Sequence, residues 1–180
     1  WLPFKHHGGS AGPLRDGKGT TFEGGQRVPC VMWAPGRIPA NSECHELMGT
    51  IDLLPTIAAL TETPLPVGQK IDGLNASSLL VGDKKSPRNE FLYYTSRGDL
   101  EGIRKDKWKL LVKKKRKPRN AGKNWKAPAP EILLFDIIAD MGEKTNLANK
   151  HPQKVQELTG RMENLDAEIT KNSREPWYKQ

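Results

Sequence analysis

The residues best suited to chemistry lie in one glycine-rich stretch near the start of the sequence, residues 12–29. Lys18 stands there between Gly17 and Gly19, so bare backbone on both sides allows the lysine to be brought close to an anion. Its ammonium group offers positive charge and N–H donors. The hydroxyls of Thr20 and Thr21 and a structural ion pair between Glu23 and Arg27 are expected to hold the loop from behind. The stretch therefore predicts an anion-binding loop built around Lys18.

A phosphate-binding P-loop is the first alternative for these residues. The spacing Gly12-x-x-x-x-Gly17-Lys18 matches that motif, but Gly19 stands where Ser or Thr would bind Mg²⁺. A P-loop also follows a buried apolar strand and opens a helix. The residues before Gly12 have no strand pattern, and residues 22–25 have no helical pattern. We therefore reject the P-loop.

The composition describes a polar protein with excess positive charge. Of 180 residues, 36% are hydrophobic, the formal net charge is +8, and the mean hydropathy is −0.67. No apolar run approaches the roughly 20 residues of a membrane helix, so no membrane partner is predicted. Much of the charge lies in the run Lys113–Arg119. This run is a solvated loop between strands, a nucleic-acid patch, or a surface for sulfated polysaccharide. No nucleic-acid-binding motif accompanies it, which disfavours the second interpretation.

The two cysteines, Cys30 and Cys44, are too few for a metal cluster or a disulfide framework. Cys30 lies in the apolar run Val28–Trp33 and is predicted to be a small buried core residue. Whether the two thiols form a bridge stays open at this point.

The first half of the chain has the pattern of loop, strand and helix. Residues up to about 27 are predicted to be loop. The run Val28–Trp33, which ends before Pro35, predicts a buried strand. A helix over residues 53–60 is predicted to begin at a cap formed by Thr50 or Asp52, with Pro55 in its first turn.

The second half has the pattern of a small sheet and one helix. Residues 90–95 and 132–135 resemble strands, and residues 108–113 alternate as a half-buried antiparallel strand does, although Leu111 interrupts the polar side. A helix is predicted near residues 152–171, with Pro152 at its first position. Its apolar stripe should face the sheet: Val155, Leu158, Met162, Leu165 and Ile169.

These elements predict an α/β fold class in two parts. Residues 1–88 are assigned to the C-terminal portion of a large α/β domain, which they leave incomplete. Residues 89–180 are assigned to a small α+β subdomain, an antiparallel sheet with a packed C-terminal helix.

Residues 12–29 closely resemble the lysine segment of sulfatases of the arylsulfatase type, formylglycine-dependent hydrolases of the alkaline-phosphatase-like superfamily. Other blocks resemble their counterparts in the C-terminal part of a sulfatase and occur in the family's order. These blocks are Ala34–Pro39, Ile51–Leu60, Ile71–Asn75, Gly102–Leu110, Leu134–Asp136 and Gly142–Ala148. The match of the Lys18 loop is highly specific. Each later block is a weak match by itself, but together, in the family's order, they are a strong one.

The resemblance implies hydrolysis of a sulfuric ester. Lys18 matches the family's lysine that contacts the sulfate and the leaving-group oxygen, so it is the predicted catalytic and substrate-binding residue. His7 is a second predicted substrate-binding residue, at the mouth of the pocket. The resemblance further implies a sulfate ester or sulfated polysaccharide as substrate, and a secreted, periplasmic or lysosomal location for the parent protein.

Two parts of the family's active site are missing from the sequence. The formylglycine nucleophile arises in a Cys/Ser-x-Pro-x-Arg motif, which does not occur here, and the family's Ca²⁺ ligands have no counterpart. We predict no metal ligand or cofactor in this chain, and expect Ca²⁺ and formylglycine in a missing N-terminal portion. The chain alone is expected to be inactive. The alternative function is a non-enzymatic basic module that binds anionic polysaccharide or nucleic acid.

Overall fold

The computed structural model describes residues 9–82, 85–118, 120, 122 and 124–174. The chain divides into two compact units: one combines Trp1–Val28 with Leu92–Gln180, and the other is Pro29–Phe91. The first unit thus joins the Lys18 loop to the second half of the chain. The assignment of residues 1–88 and 89–180 to two domains of a larger protein stays a prediction.

The described residues form short helices, one sheet and one long helix. In chain order these are α1 (Glu23–Gln26), a 3₁₀ turn (Thr50–Asp52), α2 (Leu53–Leu60), α3 (Ser77–Leu80), β1 (Glu90–Tyr94), β2 (Leu100–Lys105), β3 (Trp108–Lys113), β4 (Glu131–Asp136) and α4 (Pro152–Lys171). No helix in these ranges is long and apolar enough to cross a bilayer.

The sheet has the strand order β1-β2-β3-β4. β3 pairs antiparallel with both β2 and β4, and its Leu110 lies opposite Ile103 and Leu134. The small antiparallel sheet predicted from the sequence is therefore confirmed. Because β3 is a central strand, its side chains contact neighbours on both sides and form the middle of the core.

Helix α4 covers one face of this sheet. Leu158 and Met162 pack against a cluster that includes Leu110 and Leu134, while Val155 and Leu165 pack at its edge. The predicted helix begins and ends as expected, with Pro152 in the first turn after His151. The prediction that Ile169 faces inward is wrong: it is 37% exposed. It lies in the last turn of the helix, beyond the last apolar residue that packs on the sheet.

The opposite face of the sheet is buried as well. A second apolar cluster fills it: Phe22, Leu111, Leu133, Phe135 and Ile137. The alternation in β3 predicted that one side of the strand is polar and half-buried, with Leu111 as an interruption. This prediction is wrong, because the segment before α1 covers that side of the strand. Leu111 is a core residue there, and Lys109 beside it is fully buried.

In the second unit, Asp52 is the main polar anchor. Its carboxylate accepts hydrogen bonds from the N–H groups of Gly49 (2.8 Å) and Leu74 (2.7 Å). The guanidinium of Arg88 donates two more, at 2.8 and 2.6 Å. Asp52 precedes α2 as predicted, but its side chain caps no amide of that helix. Its carboxylate instead ties the 3₁₀ turn to the chain around residues 74 and 88.

We expect this anchor to make stability depend on pH in acid. Burial raises the pKa of Asp52, but the Arg88 hydrogen bonds, the two backbone N–H groups and the Arg88 charge outweigh burial and lower the pKa below its ordinary 3.8. A carboxylate with a lowered folded pKa stabilises the protein above the unfolded pKa, and that contribution is lost as pH falls through the folded value. Thermal unfolding from about pH 6 to about pH 2 should show a smaller loss of Tm in Asp52→Asn than in the wild type. If Tm falls equally steeply with pH in both proteins, Asp52 is not the source of this pH dependence.

The predicted buried strand Val28–Trp33 is wrong. None of its residues is in a strand, and Val31 and Trp33 are 93% and 85% exposed. No described strand pairs with the run, and an unpaired apolar segment has no ladder or core to enter. Cys30 is consequently exposed rather than buried, and both Cys30 and Cys44 are free thiols.

Candidate active site at the Lys18 turn

Lys18 lies at the tip of a tight turn formed by Gly17–Thr20. The N–H of Thr20 donates to the carbonyl of Gly17 at 3.2 Å, and the Thr20 hydroxyl donates to the same oxygen at 2.9 Å. Gly19, the third residue of the turn, has φ = +95°, which only glycine adopts readily. The turn holds Lys18 at an exposed position on the surface.

The short helix α1 packs directly behind this turn. The N–H of Gly24 donates to Arg15 O at 2.8 Å, and Gln26 Nε2 donates to Thr20 O at 2.8 Å. A Cβ on Gly25 would lie 2.3 Å from Thr20 O and 2.6 Å from Gly17 O. The pair Gly24-Gly25 is therefore what allows α1 to approach the turn. The prediction that residues up to 27 are all loop missed this helical turn, because two glycines disfavour a helix.

Replacing Gly25 by alanine should open the turn. A Cβ at 2.3 Å must move outward by about 1 Å to reach ordinary contact at 3.4 Å, which pushes the Thr20 and Gly17 carbonyls away. Amide hydrogen exchange should then show loss of protection at Thr20 N–H. Gly160→Ala in α4 is the matched control, since a Cβ there meets nothing within 4 Å. Unchanged protection in Gly25→Ala would contradict the close packing.

A buried charge cluster, formed by Glu23, Lys109 and Glu143, fixes α1 to the sheet. Lys109 Nζ lies 2.8 Å from Glu23 Oε1 and 2.9 Å from Glu143 Oε1. Glu143 Oε2 accepts the backbone N–H of Glu23 at 2.7 Å. All three side chains are almost completely excluded from solvent. Within the described residues Glu23 therefore pairs with Lys109, and the expected Glu23–Arg27 ion pair is wrong.

Tyr93 completes this cluster from β1. Its ring centroid lies 4.5 Å from Lys109 Nζ, within cation–π range, and its side chain is hydrogen-bonded to Glu23. Burial raises the pKa of the Tyr93 phenol far above its ordinary value, and the negative charge of Glu23 raises the pKa further. The hydroxyl therefore stays protonated and remains a hydrogen-bond donor to the Glu23 carboxylate.

Two more contacts attach the loop to the same unit. The Thr21 hydroxyl donates to Glu101 Oε2 of β2 at 2.5 Å. The Arg15 guanidinium donates to the carbonyl of Glu143 at 2.7 Å and lies 4.0 Å from the Phe22 ring centroid. Thr20, Thr21 and Glu23 therefore hold the loop in place as the sequence predicted, but the partners of Thr21 and Glu23 on the sheet were not predictable.

The other predicted site residue, His7, lies outside the described residues. In the basic run, Lys114, Lys115 and Lys117 are exposed, and Arg116 forms an ion pair with Asp99. Across the part of the chain that the structure describes, no group of three or more His, Cys, Asp or Glu side chains is arranged to hold a metal ion. The described side chains therefore do not provide the cluster of oxygen ligands that Ca²⁺ requires.

Sequence reasoning missed Lys109 and Glu143 as members of the site's support. One signal was available for Lys109: Leu111 follows it on the same side of β3, which indicates that this side is buried. No local signal marks Glu143, which lies 120 residues from Glu23 in the chain.

Comparisons with known proteins point to one family. The family model "Sulfatase" matches residues 4–63. Arylsulfatase A of Bos taurus is 39% identical over 153 residues, which cover 78% of this chain and 30% of that protein. The chain thus spans about a third of the length of the bovine and human arylsulfatase A proteins.

Solved structures agree with this similarity. The sulfatase PsFucS1 from Pseudoalteromonas sp. aligns with a TM-score of 0.73 and 26% identity over 91% of this chain and 34% of that chain. A Bacteroides thetaiotaomicron structure, described in the context of the metabolism of multiple glycosaminoglycans, aligns with a TM-score of 0.68 and 27% identity, over 87% and 32%. The predicted α/β sulfatase fold with a small antiparallel sheet and a C-terminal helix is confirmed. In sequence and in structure, this chain is a fragment of a sulfatase-family protein.

Proposed function

We propose that this chain supplies Lys18 to the active site of a sulfuric ester hydrolase. The observation that carries the proposal is the construction of the turn: an exposed lysine at its tip, two glycines packed behind it, and a buried charge cluster that holds α1 in place. A solvated surface lysine needs no such support. The similarity to sulfatases supports the same assignment.

The proposed role of Lys18 is electrostatic. Its ammonium group contacts the sulfuryl oxygens of the bound ester and stabilises the negative charge that develops on the leaving oxygen as the S–O bond breaks. A group already held in place when that charge develops requires no reorganisation, which is why such donors lower the barrier. The ammonium can also donate a proton to the leaving oxygen.

The remaining catalytic groups are proposed to lie elsewhere in the same protein. Formylglycine would supply the nucleophile and Ca²⁺ would neutralise sulfate charge, but neither has fitting residues among those described. We therefore propose that the isolated chain is inactive. His7 remains a proposed substrate contact.

A sulfated polysaccharide is the proposed substrate class. The exposed lysines of the basic run supply positive charge, which attracts polyanions. The similar Bacteroides thetaiotaomicron structure, described in the context of glycosaminoglycan metabolism, supports a polysaccharide substrate.

The experiment that tests the function is turnover of p-nitrophenyl sulfate by the intact protein, with and without Lys18. Loss of turnover in Lys18→Ala supports the proposal. If the intact wild-type protein hydrolyses no sulfate ester but binds polyanions with a steep salt dependence, the proposal is wrong and the basic-module alternative is favoured.

A further inference from the structure

We propose that the buried charge cluster Glu23–Lys109–Glu143 is a positioning device for Lys18, so that a lysine of the small sheet controls the active site from inside the core. The inference rests on the proposed function of Lys18. We infer that no member of the cluster touches the substrate. Glu23, Lys109 and Glu143 act instead through α1, as positioning residues.

The first step of the path runs from the sheet to α1. Glu23 is held at two separate points: its carboxylate by Lys109 Nζ at 2.8 Å and its backbone N–H by Glu143 Oε2 at 2.7 Å. Contacts to both side chain and main chain of one residue restrict its translation and its rotation. The first residue of α1 is thereby fixed relative to β3.

The second step runs from α1 to the Lys18 turn. Gly25 lies two residues after Glu23 and is in direct contact with the carbonyls of Gly17 and Thr20. Gln26 Nε2 donates to Thr20 O at 2.8 Å. A shift of Glu23 is therefore transmitted to the turn, with no flexible segment between them to absorb it.

The chemistry of the cluster fits positioning better than it fits stability alone. Apolar side chains of similar volume often stabilise a protein as well as a buried ion pair does, because burying charges costs desolvation energy. Apolar contacts are non-directional, whereas charge-assisted hydrogen bonds have a preferred length and angle. Tyr93 adds a further directional hydrogen bond to the Glu23 carboxylate. The cluster thus specifies where α1 lies.

A double-mutant cycle in the intact protein tests this inference. Glu23→Gln keeps the shape of the side chain and removes its charge. We expect kcat for p-nitrophenyl sulfate to fall roughly ten- to a hundredfold, since a displacement of about 1 Å at a reacting group costs on that order. In a Lys18→Ala background, Glu23→Gln should cause no further loss beyond about twofold, because the group that it positions is absent. Tyr93→Phe, a milder change, should lower kcat several-fold with the same dependence on Lys18.

The outcomes separate this inference from the proposed function. If Lys18→Ala lowers kcat but Glu23→Gln and Tyr93→Phe do not, the positioning role is wrong and the function of Lys18 stands. A purely structural role is indicated if Glu23→Gln lowers kcat equally in both backgrounds, and this too overturns the inference. If Lys18→Ala itself has no effect, the proposed function fails.

Leu158→Ala, buried on the α4 face, is the control: it should reduce Tm while leaving kcat per folded molecule unchanged. Should Glu23→Gln fail to fold, Tyr93→Phe decides alone.

Discussion

Replacing Lys18 by alanine in the intact protein should lower kcat for p-nitrophenyl sulfate about 10²–10³-fold, the usual effect of removing one preorganised donor from a developing oxyanion. Folding should be nearly unaffected, because Lys18 is exposed at the tip of a turn closed by other residues. Steady-state kinetics together with Tm measure both quantities. Retention of near-normal turnover on the small substrate would show that the Lys18 turn is not part of the sulfate site.

Two further variants sharpen this test. Lys18→Arg keeps the charge but replaces a compact ammonium by a planar guanidinium, so it should restore turnover only in part. Lys114→Ala and Lys115→Ala remove charges from exposed positions of the basic run. Both should leave turnover of p-nitrophenyl sulfate unchanged, which separates a specific contact at Lys18 from the general attraction of a basic surface.

Replacing Lys109 by methionine should lower the free energy of unfolding by about 3–5 kcal/mol. The substitution keeps the volume of the side chain but leaves the carboxylates of Glu23 and Glu143 buried beside each other without a cation. Urea unfolding of the intact protein measures the loss as a change in the free energy of unfolding.

Lys107→Met is the matched control for this variant. Lys107 Nζ pairs with Asp136 Oδ2 at 2.7 Å, but the lysine side chain is 53% exposed. Solvent screens such a pair, so its loss should cost less than about 1 kcal/mol. Equally small losses for Lys107→Met and Lys109→Met would mean that the charge cluster does not hold the Lys18 segment to the sheet.

Elements with strong local signals could be predicted from the sequence. Helix α4 follows from Pro152 at its start and from apolar residues at helical spacing, which depend only on neighbours along the chain. Strands β1, β3 and β4 of the antiparallel sheet follow from apolar or alternating runs of strand length, whereas β2 was not predicted. Lys18 could be proposed as a site residue because the glycines beside it make the loop distinctive. The strand expected at Val28–Trp33 failed, because an apolar run becomes a strand only where a partner strand lies beside it.

The support of the Lys18 turn was decided by tertiary structure alone. A charged residue read in isolation is expected in solvent, because burying an unpaired charge is costly. Lys109 and Glu143 are buried only because folding brings them to Glu23, from 86 and 120 residues away in the chain, where each charge meets a partner. The sequence by itself determined helices α2 and α4, strands β1, β3 and β4, and the lysine at the tip of the turn. The position of that lysine depends on pairings between distant residues, which exist only once the sheet and the loop have packed together.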